Sequence, residues 1–160
     1  MKSISDQEKL IEHLRKNGIS NSAVLKAFAT IPREQFVHPD YINEAYADRA
    51  LPLAHGQTIS QPYVVAVMTQ ALLASQSALD NVLEIGTGSA YQAAILSCLV
   101  KQVYTVERIE SLYERAAKKL AAYPNVHCRF ADGREGWLEH APYQAIIVTA
   151  ASQSIPEALK

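Results

Sequence analysis

Residues 82–89 read Val-Leu-Glu-Ile-Gly-Thr-Gly-Ser, and this stretch decides the fold class. Its first half predicts a short apolar strand, its glycines predict a turn, and the apolar spacing from about Tyr91 to Leu99 predicts a helix. A strand, a glycine turn and a helix in this order place a small ligand at the carboxyl end of a parallel sheet. Gly86 and Gly88 let the backbone approach that ligand, because a Cβ atom there would collide with it or forbid the required φ.

Strands and helices alternate after this turn. The sequence predicts strands at 103–106, 126–131 and 145–148. It also predicts a helix that begins with a capping box formed by Ser111 and Glu114 and runs through Ala122. Strands this apolar imply a parallel sheet covered on both faces, so the predicted fold class is α/β with a doubly wound, mostly parallel sheet.

The first third of the chain predicts helices. Ser5–Lys16 has apolar residues at helical spacing, and a second short helix is expected from about Asn21 to just before Pro32. Residues 32–61 indicate a long ordered loop region, which in a compact domain is usually functional. We expect one structural domain with two parts, a helical and substrate-facing segment over residues 1–78 and a Rossmann-like core over residues 79–160.

The side chains around the glycine turn indicate the ligand. A dinucleotide site needs a small residue where Tyr91 stands, and a phosphate-binding P-loop needs a lysine that is absent here. Glu84 would repel a pyrophosphate but suits S-adenosylmethionine, which carries an ammonium, a sulfonium and a ribose diol. Glu107 ends the second strand and could accept hydrogen bonds from both ribose hydroxyls. Asp132-Gly133 ends the third strand and could reach the adenine amine.

Composition excludes several classes of function. Lys and Arg number 15 against 16 Asp and Glu in 160 residues, so the basic excess typical of a nucleic-acid binder is missing. The sequence shows neither a signal peptide nor a membrane-spanning segment, and we expect no membrane partner. Cys98 and Cys128 lie in apolar segments and are expected to be buried free thiols, which favours the cytoplasm. The histidines and cysteines show no metal-ligand spacing, so no metal is expected.

Several stretches together resemble one family, the protein-L-isoaspartate O-methyltransferases. The glycine turn alone would indicate only a class I methyltransferase, whereas Gly-Gln-Thr-Ile-Ser-Gln-Pro-Tyr at residues 56–63 is far more specific. The remaining matches extend the resemblance over nearly the whole chain: 31–33, 36–37, 45–46, 51–52, 82–89, 106–108, 132–133 and 145–151.

The resemblance implies a Rossmann-like class I methyltransferase fold, S-adenosylmethionine as methyl donor with S-adenosylhomocysteine as product, and isoaspartyl-containing proteins and peptides as substrates. Ser60 would be the active-site hydroxyl, and the loop around it would lie between donor and substrate. The residues expected to bind the cofactor are Thr58, Ile59, Gln61, Glu84, Gly86, Thr87, Gly88, Ser89, Glu107, Arg108, Asp132 and Gly133. Local sequence alone favours Ser60 as a cap for the helix that opens at Pro62, and the resemblance reverses this preference. His55 could be structural or line the ligand site.

The sequence departs from the family pattern in two places. Ala90 stands where a third glycine is usual, so we expect a methyl group beside the cofactor that is tolerated or weakens binding modestly. Family members continue beyond a Pro-Gly-Gly-like turn, so we expect the C-terminal strands of the sheet to be missing and the strand at 145–148 to form an exposed edge that could support an oligomer. Two alternatives stay open, a class I methyltransferase with an RNA or small-molecule substrate and a non-catalytic cofactor-binding module.

Overall fold

A computed structural model describes residues 5–74, 79–151 and 154–160. The N-terminal half contains helix α1 (Asp6–Lys16), helix α2 (Ser22–Thr30), a hairpin of strands β1 (Leu51–Pro52) and β2 (Thr58–Ile59), and helix α3 (Pro62–Ala74). The two predicted N-terminal helices are confirmed. The hairpin was not predicted, because strands of two residues are too short to show an alternating pattern. It lies within the region expected to be an ordered loop.

The C-terminal half forms a four-stranded parallel sheet. Its elements are strand β3 (Asn81–Ile85), helix α4 (Tyr91–Ser97), strand β4 (Gln102–Glu107), helix α5 (Glu110–Leu120), strand β5 (Val126–Phe130) and strand β6 (Ala145–Val148). The strand order is β5-β4-β3-β6, so the chain moves outward from β3 to β5 and then returns to the other side of β3. This reversal puts a topological switch point at the carboxyl end of β3, where ligands bind in open α/β sheets.

The two faces of the sheet are covered differently. Val82, Val103 and Ile147 point toward the main core, which also contains buried residues from α1 through α5. Leu83, Ile85 and Val106 form a second, smaller cluster. Over the described residues, the side chains packed on that cluster come from strands and connecting segments: Tyr104, Ala131, Trp137, Tyr143, Ile146, Val148 and Leu159. The predicted cover on both faces is therefore present, with helices on one face and turns on the other.

The start of α5 differs from its prediction. The helix begins at Glu110, and Ile109 precedes it without a side-chain cap, so the capping box predicted at Ser111 is wrong. The Ser111 hydroxyl instead lies 2.7 Å from Nε2 of His55, at the tip of the hairpin. His55 is exposed, and its role here is structural, since this bond joins the hairpin to the first turn of α5. A capping box does exist in the chain, at Ser5 and Glu8.

The cysteines agree with their prediction only in part. Both are free thiols, and Cys128 is half-buried, with burial raising its pKa to about 11. Cys98 is exposed, so its predicted burial is wrong. It lies directly after α4, and the apolar spacing used to place it continues past the end of that helix. In the described ranges, every helix is too short or too polar to cross a lipid bilayer.

Candidate functional site

Gly86 opens the turn that follows β3 and lies close to the segment that follows β6. Its N–H donates to the Val106 carbonyl at 2.9 Å. Its φ is 101°, and a Cβ atom there would lie 2.9 Å from Cβ and 3.0 Å from N of Ala150. Thr149 and Ala150 in turn donate to the Ile85 carbonyl at 2.9 and 3.1 Å. Only glycine fits between these neighbours, so this position fixes how closely the turn packs on the end of β6.

Gly88 and Ala90 have similar backbones but different surroundings. Gly88 has a φ of 52°, and a Cβ atom added to it would meet nothing within 4 Å. Ala90 has a φ of 74°, and its methyl group is fully buried in the main core. Ala90 does not line the cavity next to the turn, so the structure gives no support to the expectation that its methyl group stands beside the cofactor. An alanine in the left-handed region is accommodated here by packing.

Glu84 is a fully buried carboxylate at the end of β3. The Thr105 hydroxyl donates to its Oε2 at 2.7 Å and is itself 2.7 Å from the Thr87 hydroxyl. When Glu84 is ionised and accepts the single proton of Thr105, Thr87 is the donor in the second bond. Thr149 lies 3.4 Å from Oε1 and makes a shorter bond, 2.7 Å, to the Gly86 carbonyl. Burial raises the pKa of Glu84 to about 8.

Glu107 ends β4 and holds two backbone amides. Its Oε2 accepts from Gly88 N at 2.8 Å, and its Oε1 accepts from Ile109 N at 2.9 Å. One side chain therefore ties the glycine turn to the residue just before α5. Each carboxylate oxygen keeps a further lone pair. Among the ion pairs of the described residues, none includes Glu84 or Glu107.

The loop between β2 and α3 carries Ser60 and is held from two sides. Arg33 Nη2 donates to the Ser60 carbonyl at 2.7 Å. Asp48 accepts from Tyr63 N at 2.8 Å and from Gln61 Nε2 at 3.2 Å, so Asp48 supplies the side-chain oxygen that caps the start of α3. The Ser60 side chain makes no such capping bond in the structure, and its hydroxyl is left for another role.

These elements surround one cavity at the carboxyl end of the sheet. Eleven of the thirteen predicted site residues line it: Thr58, Ile59, Ser60, Glu84, Gly86, Thr87, Gly88, Ser89, Glu107, Arg108 and Gly133. The two others lie outside its lining. Gln61 bonds to Asp48, and Asp132 pairs with Arg134 at 2.6 Å. The hydrogen bonds from Arg134 lower the pKa of Asp132 to about 2, so this carboxylate stays ionised and would need to share its oxygens with an adenine amine.

Further residues line the cavity without having been predicted. They are Gln57, Val65, Ile85, Tyr91, Gln92, Val106, Ile109, Thr149, Ala150 and Ala151. Thr149 stands directly after β6, where the strand order predicts a ligand-facing residue, so the sequence contained a signal for it. Val65 and Gln92 lie on helices that only the folded chain brings to the cavity, and no local pattern marks them.

The strand order, the glycine turn at the switch point and the two buried carboxylates beside it define a Rossmann-like methyltransferase of class I. A family model described as Protein-L-isoaspartate(D-aspartate) O-methyltransferase matches residues 5–160. The chain belongs to this family and is a protein-repair methyltransferase. Its methyl donor is S-adenosylmethionine, and the acceptor is the carboxylate of an isoaspartyl residue.

Relatives and solved structures agree with this assignment. A protein-L-isoaspartate O-methyltransferase from Dictyoglomus thermophilum is 52% identical, and the match spans 96% of this chain and 70% of the relative's length. One from Alkalilimnicola ehrlichii is 48% identical, and the match spans 99% of this chain and 72% of the relative's length. A solved protein-L-isoaspartate O-methyltransferase superimposes with a TM-score of 0.85 at 33% identity, covering 95% of this chain and 50% of that one. A Plasmodium falciparum structure bound to S-adenosyl-L-homocysteine has a TM-score of 0.82 at 19% identity and shares the fold.

Proposed function

We propose that the cavity binds S-adenosylmethionine and that Ser60 orients an isoaspartyl carboxylate for methyl transfer. The observation that carries this proposal is that Glu84 and Glu107, which form no ion pair with any described residue, line the same cavity as the Ser60 loop. Among the described residues, Arg108 is the only Lys or Arg in that lining, so with Glu84 ionised two carboxylates face one cation, which favours a cationic ligand without phosphate.

The residues present fit this cofactor. Gly88 borders open space in the cavity, which a side chain at this position would partly fill. Because Glu84 is buried, it ionises at low cost only when a positive group lies next to it. We assign Glu84 to the cationic methionine end and Glu107 to the ribose diol, with Thr58, Ile59, Gly86, Thr87, Ser89, Arg108 and Gly133 as further contacts. Gln61 and Asp132 do not line the cavity, and we propose that they contact the cofactor from its edge.

The reaction needs few catalytic groups from the protein. The sulfonium of S-adenosylmethionine supplies an activated methyl group. An isoaspartyl α-carboxyl has an ordinary pKa of about 3.5, so the acceptor is already ionised and requires no general base. The chain must therefore position the carboxylate and exclude water. A neutral hydroxyl suits this task because a directly bound cation would stabilise the carboxylate more before attack than in the transition state, where its charge falls.

Replacing Ser60 with alanine tests the assigned hydroxyl. We expect kcat to fall about tenfold to hundredfold, the equivalent of one hydrogen bond to a charged group, with little change in affinity for S-adenosylhomocysteine. Steady-state assays on an isoaspartyl peptide, with the aspartyl isomer as control, measure kcat, and calorimetry measures the affinity. Equal losses in both quantities would contradict the assignment.

Replacing Glu107 with alanine tests the ribose contact. We expect the affinity for S-adenosylhomocysteine to fall by about 1.5–3 kcal/mol, and the melting temperature to fall as well, because the amides of Gly88 and Ile109 lose their acceptor. Calorimetry gives the dissociation constant and a thermal scan gives the melting temperature. An unchanged dissociation constant would remove Glu107 from the cofactor site.

We also propose a cytoplasmic location and self-association through a sheet edge. Two free thiols and the composition favour the cytoplasm. Strand β6 is at the edge of the described sheet, and an unpaired strand edge can pair with a second copy of the chain. Sedimentation analysis over a range of protein concentrations would measure the oligomeric state directly.

A further inference from the structure

Arg33, which holds the Ser60 carbonyl, is a fully buried cation. It begins the short turn after α2, and its side chain is inaccessible to solvent. Buried guanidinium groups normally pair with a carboxylate, yet no ion pair among residues 5–74, 79–151 and 154–160 includes Arg33. Its Nη1 also has no hydrogen-bond partner there. Burial lowers its pKa, although an arginine stays protonated in proteins.

The partners of Arg33 come from three separate segments. Its Nε donates to the Ala45 carbonyl at 2.8 Å, and its Nη2 donates to the Ser60 carbonyl at 2.7 Å. Its Cζ lies 4.8 Å from the ring centroid of Tyr91, the first residue of α4. Ser60 and Tyr91 both line the cavity. One guanidinium thus connects the loop that presents the hydroxyl with the helix that follows the glycine turn.

The carbonyl contact acts directly on the geometry of Ser60. A fixed carbonyl plane restricts ψ of Ser60, and the Asp48 cap fixes the chain three residues later at Tyr63. With both anchors in place, the backbone that carries the Ser60 hydroxyl has a defined position relative to the cavity wall. A planar guanidinium that donates from two nitrogens and stacks on a ring fixes direction better than an ammonium does.

We propose that Arg33 is a positioning residue for methyl transfer, acting on the acceptor carboxylate through the Ser60 carbonyl that it holds. This inference rests on the proposed role of Ser60. Arg33 touches neither the donor nor the acceptor, and its contribution is the placement of the Ser60 hydroxyl. Because the charge stands behind the loop, it does not oppose the loss of carboxylate charge as a direct contact would.

The test is a double-mutant cycle on the full chain. Arg33→Lys keeps a buried cation but loses the planar, two-nitrogen geometry, and Arg33→Gln keeps a neutral donor that is less costly to bury. Each change is made alone and together with Ser60→Ala, and kcat is measured on an isoaspartyl peptide at saturating S-adenosylmethionine. The binding stoichiometry of S-adenosylhomocysteine, measured by calorimetry, gives the fraction of chains that are folded, so that kcat can be expressed per folded site. Arg49→Met is the control, because Arg49 is an exposed cation paired with Glu44 outside the cavity.

We expect Arg33→Lys to lower kcat per folded site at least tenfold, with the affinity for S-adenosylhomocysteine changed less than about threefold. In the Ser60→Ala background the same change should lower kcat less than about twofold, because the hydroxyl to be positioned is gone. Additive losses would overturn the proposal, as would an unchanged kcat per folded site. Failure of both Arg33 variants to bind S-adenosylhomocysteine would also overturn it, because Arg33 would then serve the fold itself. Absence of methyl transfer in the unaltered chain would instead refute the proposed function.

Discussion

Replacing Gly86 with alanine is expected to destabilise the folded chain by about 2–6 kcal/mol and to abolish binding of S-adenosylhomocysteine. The new Cβ would lie 2.9 Å from the Cβ and 3.0 Å from the backbone nitrogen of Ala150, neither of which is a flexible side-chain end. The φ of 101° is also unfavourable for any residue with a Cβ atom. Backbone strain and overpacking each cost about 1–3 kcal/mol, and both apply here. Urea unfolding measures the loss of stability.

Gly88→Ala is the matched control for this experiment. Its φ of 52° lies in the left-handed region, which alanine adopts at a cost of about 1–2 kcal/mol, and its Cβ would enter open space. We expect this variant to stay folded but to bind S-adenosylhomocysteine at least tenfold more weakly, because the methyl group occupies the cavity. Ala90, at a φ of 74°, already shows that alanine is accommodated in this turn. Equal stability of the two variants would contradict the packing described around Gly86.

Replacing Glu84 with glutamine is expected to remove a pH dependence of folding stability. Burial raises the pKa of Glu84 from 4.5 to about 8, so the folded chain keeps this proton where the unfolded chain has lost it. The unaltered chain should therefore lose stability as pH rises from about 4.5 to 8, by on the order of 3–5 kcal/mol in total. Glutamine stays neutral throughout. The variant should match the unaltered chain at pH 4.5 and be more stable at pH 8, as measured by urea unfolding at both values.

The same substitution should have the opposite effect on cofactor binding. A cationic ligand favours the ionised carboxylate, so binding to the unaltered chain should release a proton and strengthen as pH rises from 6 toward 8. Calorimetry with S-adenosylhomocysteine, in two buffers of different ionisation enthalpy, measures that proton release. Glu84→Gln should bind more weakly and release no proton from this position. Identical proton release in the two proteins would show that Glu84 does not face the cationic group.

The sequence predicted the fold where local pattern and tertiary structure coincide. Strand β3, the glycine turn and helix α4 were readable because a buried strand needs continuous apolar residues and a left-handed turn needs glycine. The family-specific stretch at residues 56–63 is what assigns the proposed active-site role to Ser60, which local chemistry alone would have assigned to a helix cap. The structure places that cap on Asp48, a residue from a different segment.

Other features depend on contacts between distant segments, so the sequence could not reveal them. Arg33 would be expected at the surface, and only folding brings its guanidinium to the carbonyls of Ala45 and Ser60. The exposure of Cys98 was mispredicted because apolar spacing does not show where a helix ends. Ser111 has the residue type and spacing of a cap, but its hydroxyl bonds to His55 instead.

The two bonds of Glu107 bear on the affinity expected under its proposed assignment to the ribose. A single carboxylate holds the amides of Gly88 and Ile109 in place without a ligand. We therefore expect binding to cost little entropy for ordering these two residues, so that more of the contact energy is expressed as affinity.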